Sequence, residues 1–149
     1  MRVLKFGGSS LASADRFLAV ANIIKEQSKI AQVAVVVSAP QGVTNHLVAM
    51  AENISDQAKL QADLGHFKQA IETIIDDLSA TSSKFNRQHC QQVLAHCENQ
   101  LSRYMQGATM LSFCPEHIRA RIISMGERLS VAILSSVLAS KGEAVSELE

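Results

Sequence analysis

An excess of charge of either sign is missing from this sequence, in which 14 lysines and arginines balance 14 aspartates and glutamates. Proteins that hold nucleic acids or anionic membranes through bulk positive charge need a basic surplus. No uninterrupted apolar stretch has the length that spans a bilayer. We therefore expect neither a nucleic acid nor a membrane as a partner, whereas a small ligand needs only local charge.

Cysteine is scarce as well. Cys90, Cys97 and Cys114 are an odd number and form no disulfide-like framework, which is typical of a reducing compartment. No secretory signal is visible, because a single arginine precedes a run typical of a strand. The sequence therefore predicts a cytoplasmic protein. With 47% apolar and 19% charged residues among 149, it also predicts a folded globular domain.

The most informative segment that is present covers residues 5–10, Lys-Phe-Gly-Gly-Ser-Ser, directly after a short apolar run. The order predicts a strand, a tight turn and a helix N-terminus, an arrangement that presents backbone N–H groups to a phosphate. A surface lysine at a strand end is the simpler interpretation of Lys5 alone. Gly7 and Gly8, which permit positive φ and close backbone approach, favour a phosphate site. Lys5 precedes the glycines, so neither a Walker A loop nor a GxGxxG fingerprint is present.

The first part of the chain predicts a βαβ unit. Residues 2–6 predict a strand, and a helix capped by Ser10 or Ser13 runs to about Gln27. The β-branched run of residues 33–37 suits a strand buried on both faces, as in a parallel sheet covered by helices. The crossover between the strands is expected to be right-handed.

A second loop follows the second strand, marked by Pro40 and Gly42. Both loops then lie at the carboxyl edge of the sheet, where open α/β folds bind ligands. Thr44 and Asn45 follow this loop. Either one caps the next helix or faces a ligand in the same cleft.

The remainder predicts helices. The first has a buried stripe of Leu60, Leu64, Phe67, Ile71, Ile74 and Leu78, and the second has Leu94, Cys97, Leu101 and Tyr104. A polar break at residues 80–86 separates them. Pro115 opens a third helix that continues to about Ser140 and stops at Gly142. Residues 143–149 begin like another strand and then end, so we expect a piece of a longer protein, and residues 148–149 resemble a cloning remnant.

Glu127 is the second candidate, because it lies within an apolar ridge of the third helix. A buried carboxylate without a partner costs several kcal/mol and therefore needs a cation or hydrogen-bond donors. Arg119, Arg121 or Arg128 would be a structural partner, and a substrate ammonium group would be a functional one. Both interpretations of Glu127 stay open. The substrate ammonium is slightly favoured, because Gly126 weakens the helix and indicates close approach of another group.

A metal site is not expected. His89-Cys90 and His96-Cys97 repeat at a seven-residue interval, but the cysteines share a helical face with leucines and are typical of a core. No CxxC or HxxxH spacing is present. The remaining histidines, His46, His66 and His117, belong to no recognisable constellation.

Several segments together resemble the aspartate kinases, in order and in spacing. They are residues 5–10, 36–39, 42–45 and 124–130. Residues 1–8 and 45–50 look most like the bifunctional aspartokinase–homoserine dehydrogenases of bacteria. The resemblance covers essentially the whole chain. It implies the amino acid kinase fold, an α/β fold with three αβα layers and a mainly parallel sheet, of which residues 1–147 are the N-terminal part.

The resemblance implies transfer of the γ-phosphate of ATP to the β-carboxylate of L-aspartate with Mg²⁺, the first step toward threonine, methionine and lysine. The residues that it assigns to ATP and its phosphates are Lys5, Phe6, Gly7, Gly8, Ser9 and Ser38. Lys5 would neutralise the phosphoryl group, while Thr44 and Glu127 would bind aspartate, with Glu127 meeting its ammonium. The nucleophile is already a carboxylate, so positioning and charge neutralisation suffice without a general base.

Two departures from the family matter. Ser9 stands where threonine is usual, which keeps the hydroxyl. In the family, several parts come from later sequence. They are the ATP-base pocket, an arginine for the substrate, much of the metal site, the ACT domains and an NADP-dependent dehydrogenase region. We therefore expect no turnover by this chain alone and a homo-oligomeric parent. Alternatives are another kinase of this fold, acting on glutamate, acetylglutamate, carbamate or a nucleotide, and a non-catalytic fragment that self-associates through an exposed apolar face.

Overall fold

A computed structural model describes residues 1–148, which form a two-stranded sheet and six α-helices. The elements are β1 (Arg2–Phe6), a one-turn 3-10 helix (Gly8–Leu11), α1 (Ala14–Ser28), β2 (Val33–Val37), α2 (Val43–Glu52), α3 (Gln57–Thr81), α4 (Arg87–Leu111), α5 (Glu116–Ile123) and α6 (Met125–Ser140).

The two strands pair in parallel, with Arg2 opposite Val33 and Phe6 opposite Val37. This confirms the predicted strands and their direction. Burial of residues 33–37 on both faces is wrong for the described residues, since Val36 is 50% exposed. Val3 on β1 is 64% exposed. Side chains alternate along a strand, and only Leu4, Phe6, Val35 and Val37 pack on the core. The opposite face has no such cover within residues 1–148.

Helix α1 connects the strands and begins where a side-chain cap is available. The Oγ of Ser13 accepts a hydrogen bond from the N–H of Arg16 at 3.4 Å. Ser13 is therefore the cap, and Ser10 lies in the 3-10 helix instead. The apolar residues Phe17, Val20, Ala21 and Ile24 form a buried stripe along α1, and Phe17 is fully buried.

Helices α3 and α4 are long and lie against each other. Their predicted stripes are buried except for Leu64 and Tyr104, which are partly buried against the same core. The polar break is shorter than expected because α3 continues to Thr81. Asn86 starts α4 by accepting a hydrogen bond from the N–H of His89 at 3.1 Å.

The single helix predicted after Pro115 is divided into α5 and α6 at Ser124. The hydrogen-bond ladder nevertheless continues, since the N–H of Ser124 donates to Ala120 and the N–H of Arg128 donates to Ser124. Helix α6 contacts α1, α4 and β2 and is buried on most sides, as expected of a helix that is apolar on two ridges.

The segment Glu116–Ser140 is long and apolar enough to cross a membrane by length and composition. The expectation from the sequence concerned uninterrupted apolar stretches, and this segment is interrupted by Arg119, Arg121, Glu127 and Arg128. Most of the segment is buried inside the protein, and the core helix of a globular domain has the same composition.

The strand expected at residues 143–149 is wrong for its described part, because residues 143–148 have no regular structure. Gly142 ends α6 with a φ of +84°, and the N–H of Glu143 donates back to the carbonyl of Leu138 at 3.1 Å. The chain is then held by side chains, including a Glu143 carboxylate 3.7 Å from Lys25 Nζ. Glu149 lies outside the described residues.

Candidate functional site

The two loops that follow β1 and β2 are joined to each other by backbone hydrogen bonds. The N–H of Ser38 donates to the carbonyl of Phe6 at 3.0 Å, and the N–H of Gln41 donates to the carbonyl of Gly8 at 3.1 Å. Parallel pairing brings the carboxyl ends of both strands to one edge. The structure therefore brings the two predicted loops together, as the sequence indicated.

The two glycines of the first loop have different environments. A Cβ on Gly8 would lie 2.9 Å from the carbonyl oxygen of Ala39, whereas a Cβ on Gly7 would meet nothing within 4 Å. Neither glycine has positive φ among the described residues, and Gly7 is extended at −81°. The freedom to adopt positive φ is therefore not used at Gly7 or Gly8, and close approach applies to Gly8 alone.

A helix N-terminus follows the glycines within a few residues, as the sequence predicted, but a 3-10 helix separates the two. The 3-10 helix Gly8–Leu11 comes first, and the α-helix begins only at Ala14 behind its Ser13 cap. The first loop can therefore offer a phosphate the exposed side chains of Lys5 and Ser9 and the open backbone around Gly7. It does not offer the N-terminus of α1, whose first turn is already capped.

The start of α6 lies against the second loop through Gly126. A Cβ on this glycine would overlap the Cβ of Ala39 and would lie 3.3 Å from Cγ1 of Val43. Glycine is thus required by close approach, as the sequence predicted. Because Ala39 also contacts Gly8, three segments that are distant in sequence meet around this one alanine.

This packing predicts that Gly126→Ala destabilises the chain by about 1–3 kcal/mol, the usual cost of overpacking a core. Gly107→Ala in α4 is the matched control, since its added Cβ meets nothing within 4 Å. The control should gain about 0.5–1 kcal/mol from helix propensity. Urea unfolding of both variants measures the difference, and equal stability of the two would contradict the close contact.

Glu127 follows Gly126 and is partly buried. Its Oε2 atom is buried and has no hydrogen-bond partner within residues 1–148. Arg119, one of the arginines considered as its structural partner, instead places Nη2 3.3 Å from Oε1 of Glu52. The carboxylate therefore retains an unsatisfied oxygen beside the second loop, and such a group calls for a donor or a cation.

Thr44 and Asn45 lie in the first turn of α2 and are not its cap. Gly42 precedes this helix with a φ of +84°, and no side-chain cap is formed. A non-glycine residue would be strained at that angle, so the loop itself determines where α2 begins. The expectation that Thr44 or Asn45 caps α2 is therefore wrong, and the hydroxyl of Thr44 remains available.

The polar side chains at the site share one property. Those of Lys5, Ser9, Ser38 and Thr44 form no hydrogen bond or ion pair within the part of the chain that the structure describes. One cation and several hydroxyls on small-residue loops suit an anionic ligand, and the carboxylate of Glu127 suits an ammonium group. Side chains of these types can hold a phosphate and an amino acid.

The resemblance implies Mg²⁺ and NADP for the parent, but it assigns much of the metal site and the NADP-dependent region to later sequence. Mg²⁺ favours carboxylate and phosphate oxygens in octahedral geometry, and Glu127 is the only carboxylate among the assigned residues. No GxGxxG fingerprint for a dinucleotide is present.

The cysteines belong to the core, as the sequence indicated. Cys90 and Cys97 are fully buried, and burial raises the pKa of each thiol to about 11. Cys90 Sγ lies 3.4 Å from Ser136 Oγ. Such thiols are poor metal ligands, because the thiolate is the binding form.

One cluster was missed by sequence reasoning. His46 on α2 lies beside Asp63 and His66 on α3, although the histidines were assigned to no constellation. The three-residue spacing of Asp63 and His66, which places both on one helical face, was the available signal. Nothing in the sequence indicated that α2 would bring His46 to that face.

The fold has known counterparts. The family model described as "Amino acid kinase family" matches residues 1–148. The chain therefore belongs to the amino acid kinase family.

Among curated proteins, the chain is similar to bifunctional aspartokinase/homoserine dehydrogenases. The one from Buchnera aphidicola is 39% identical over 141 residues, which are 95% of this chain and 17% of that protein. The one from Haemophilus influenzae is 33% identical over 148 residues, covering 97% and 18%. The chain thus spans less than a fifth of the length of these relatives.

Solved structures give the same fold. Aspartokinase III of E. coli in complex with aspartate and ADP superimposes with a TM-score of 0.74 at 24% identity, over 95% of this chain and 29% of that chain. Its complex with lysine and aspartate gives 0.74 at 25% identity, with the same coverage. The predicted amino acid kinase fold is confirmed, and the described residues supply part of it.

Proposed function

We propose that these loops form the phosphoryl-holding and aspartate-binding part of an aspartate kinase. The reaction is transfer of the γ-phosphoryl group of ATP to the β-carboxylate of L-aspartate, giving 4-phospho-L-aspartate and ADP. One observation carries the proposal: Gly126 packs on the Ala39 loop, which in turn packs on Gly8. Glu127, which has an unsatisfied carboxylate oxygen, is the next residue along α6. Lys5 and Ser38 lie at the carboxyl ends of β1 and β2, which lead into these two loops.

The residues divide the work between the two substrates. Lys5 faces the transferring phosphoryl group and offsets the charge on its oxygens in the transition state. Ser9, Ser38 and the backbone at Gly7 hold that group in line. Glu127 accepts the ammonium of aspartate, and Thr44 donates to its carboxylate. A β-carboxylate oxygen then forms a bond to phosphorus as the bond to the ADP oxygen breaks, and no proton has to move.

The relatives' lengths bear on what the chain does by itself. Because it spans less than a fifth of the curated relatives, we propose that residues 1–147 are the N-terminal part of a cytoplasmic, homo-oligomeric kinase on the route to threonine. The residues that bind the ATP base and the remaining polar groups of aspartate come from outside residues 1–147. We accordingly expect no aspartate-dependent ADP release by the purified 149-residue chain, and clear turnover would contradict this division.

The acceptor is tested on the full-length parent by coupled measurement of ADP release with a panel of carboxylates. Release should depend on L-aspartate and should be at background with L-glutamate and N-acetylglutamate. Phosphorylation of glutamate but not of aspartate would show that the site belongs to another kinase of the same fold.

A further inference from the structure

A histidine–carboxylate cluster lies away from the loops described above, between α2 and α3. His46 Nδ1 is 3.1 Å from Asp63 Oδ1, and the rings of His46 and His66 have centroids 5.3 Å apart. One ligand atom from each of the three side chains lies within 4.8 Å of the others. The cluster therefore joins two helices through three potential metal ligands.

An ion pair between His46 and Asp63 does not account for the whole cluster. It uses only Oδ1 of Asp63, whose side chain is 14% exposed, and Oδ2 is buried without a hydrogen-bond partner. His66 is exposed and forms no hydrogen bond or ion pair within residues 1–148. A buried, unsatisfied carboxylate oxygen in a native fold indicates a missing donor, water or ion.

We propose that His46, Asp63 and His66 bind a divalent transition ion of the zinc class. Two imidazoles and a carboxylate are the ligand types that Zn²⁺, Co²⁺ and Ni²⁺ accept, whereas Mg²⁺ and Ca²⁺ prefer oxygen alone. Ligands about 2.1 Å from a tetrahedral ion lie about 3.4 Å apart. The cluster reaches that spacing with side-chain shifts of about an ångström, and exposed His66 can turn to make them.

The surroundings suit a site with one open position. A shallow cavity at the cluster is lined by His46, His66, Gln69, Ala70 and Thr73, so water completes the coordination from the solvent side. The bound ion connects α2, which carries Thr44 in its first turn, to α3. This site is independent of the proposed kinase chemistry, because none of its ligands belongs to the phosphate loops.

The test is calorimetric titration of the untagged 149-residue chain with Zn²⁺. The wild type should bind one ion per chain, with a rise in Tm. His66→Gln should weaken binding at least tenfold and abolish that rise, since this exposed side chain has no hydrogen bond or ion pair within residues 1–148 to lose. Asp63→Asn should weaken binding similarly. His96→Gln, which removes an exposed histidine on α4, is the matched control and should bind as the wild type does.

Cobalt absorption identifies the ligands. Co²⁺ should give d–d bands without a thiolate charge-transfer band, because the cysteines lie outside the cluster. Absence of saturable Zn²⁺ binding, equal affinity of His66→Gln and wild type, or a thiolate band would each overturn the site. Circular dichroism of His66→Gln should match the wild type, so a loss of binding is attributable to the ligand.

Discussion

Replacement of Lys5 by alanine is expected to lower kcat of the full-length parent by about 10²–10³-fold, the usual effect of removing one group that stabilises charge in a transition state. The KM for aspartate should change little. Lys5 is exposed and has no side-chain partner within residues 1–148, so its loss should not disturb the fold. Its charge acts where negative charge is transferred, and a mutation of that kind lowers kcat and kcat/KM together.

Steady-state kinetics with varied aspartate and ATP give the two parameters separately. Lys84→Ala removes another exposed lysine whose side chain has no partner in the described residues, and it should leave both parameters unchanged. A higher KM for aspartate with normal kcat would show that Lys5 binds the amino acid instead.

Glu127→Ala is expected to have the opposite pattern. The KM for aspartate should rise about 30-fold or more, since truncating one partner of a buried charge pair costs at least about 2 kcal/mol, while kcat at saturating aspartate should fall much less. In the proposed site the carboxylate meets a substrate ammonium that is present in the ground state as well as in the transition state, and loss of such uniform binding raises KM.

The free energy of unfolding distinguishes a substrate-binding role of Glu127 from a structural one. The Oε2 atom of Glu127 is buried without a partner, so Glu127→Gln should leave the free energy of unfolding unchanged or raise it. Glu52→Gln, which removes the exposed partner of Arg119, is the control and should change neither KM nor kcat. A marked destabilisation by Glu127→Gln would show that the carboxylate supports the fold.

Local signals in the sequence were sufficient for the elements that depend on local chemistry. The bounds of β1 and β2 follow from apolar runs that end in small residues, and α1 follows from Ser13 and a regular stripe. The stripes of α3 and α4 were predicted almost completely, because amphipathic spacing reports which face is buried.

Features that depend on distant segments were not predictable in this way. Val36 belongs to an apolar run that favours burial on both faces, yet half of its surface is exposed. Gly42, and not Thr44 or Asn45, sets the start of α2 because the loop turns back toward Gly8. Strand-like composition in residues 143–148 does not form a strand without a neighbour to pair with.

The candidate site also combines features that the local sequence predicts with features that depend on distant segments. Sequence alone selected Gly126 and Glu127, because a glycine and a carboxylate are unusual in a buried helix. It treated Gly7 and Gly8 alike, although only Gly8 is required by close contact with Ala39. The meeting of His46 with His66 depends on how α2 and α3 pack, which no spacing within one helix specifies.

The most direct measurement traps the product of the full-length parent with hydroxylamine, which converts an acyl phosphate to a hydroxamate. With ATP and L-aspartate, the wild type should accumulate aspartyl β-hydroxamate, and Lys5→Ala should form it about 10²–10³-fold more slowly. Absence of the hydroxamate from the wild type, or an undiminished rate in Lys5→Ala, would contradict phosphoryl transfer to aspartate at this site.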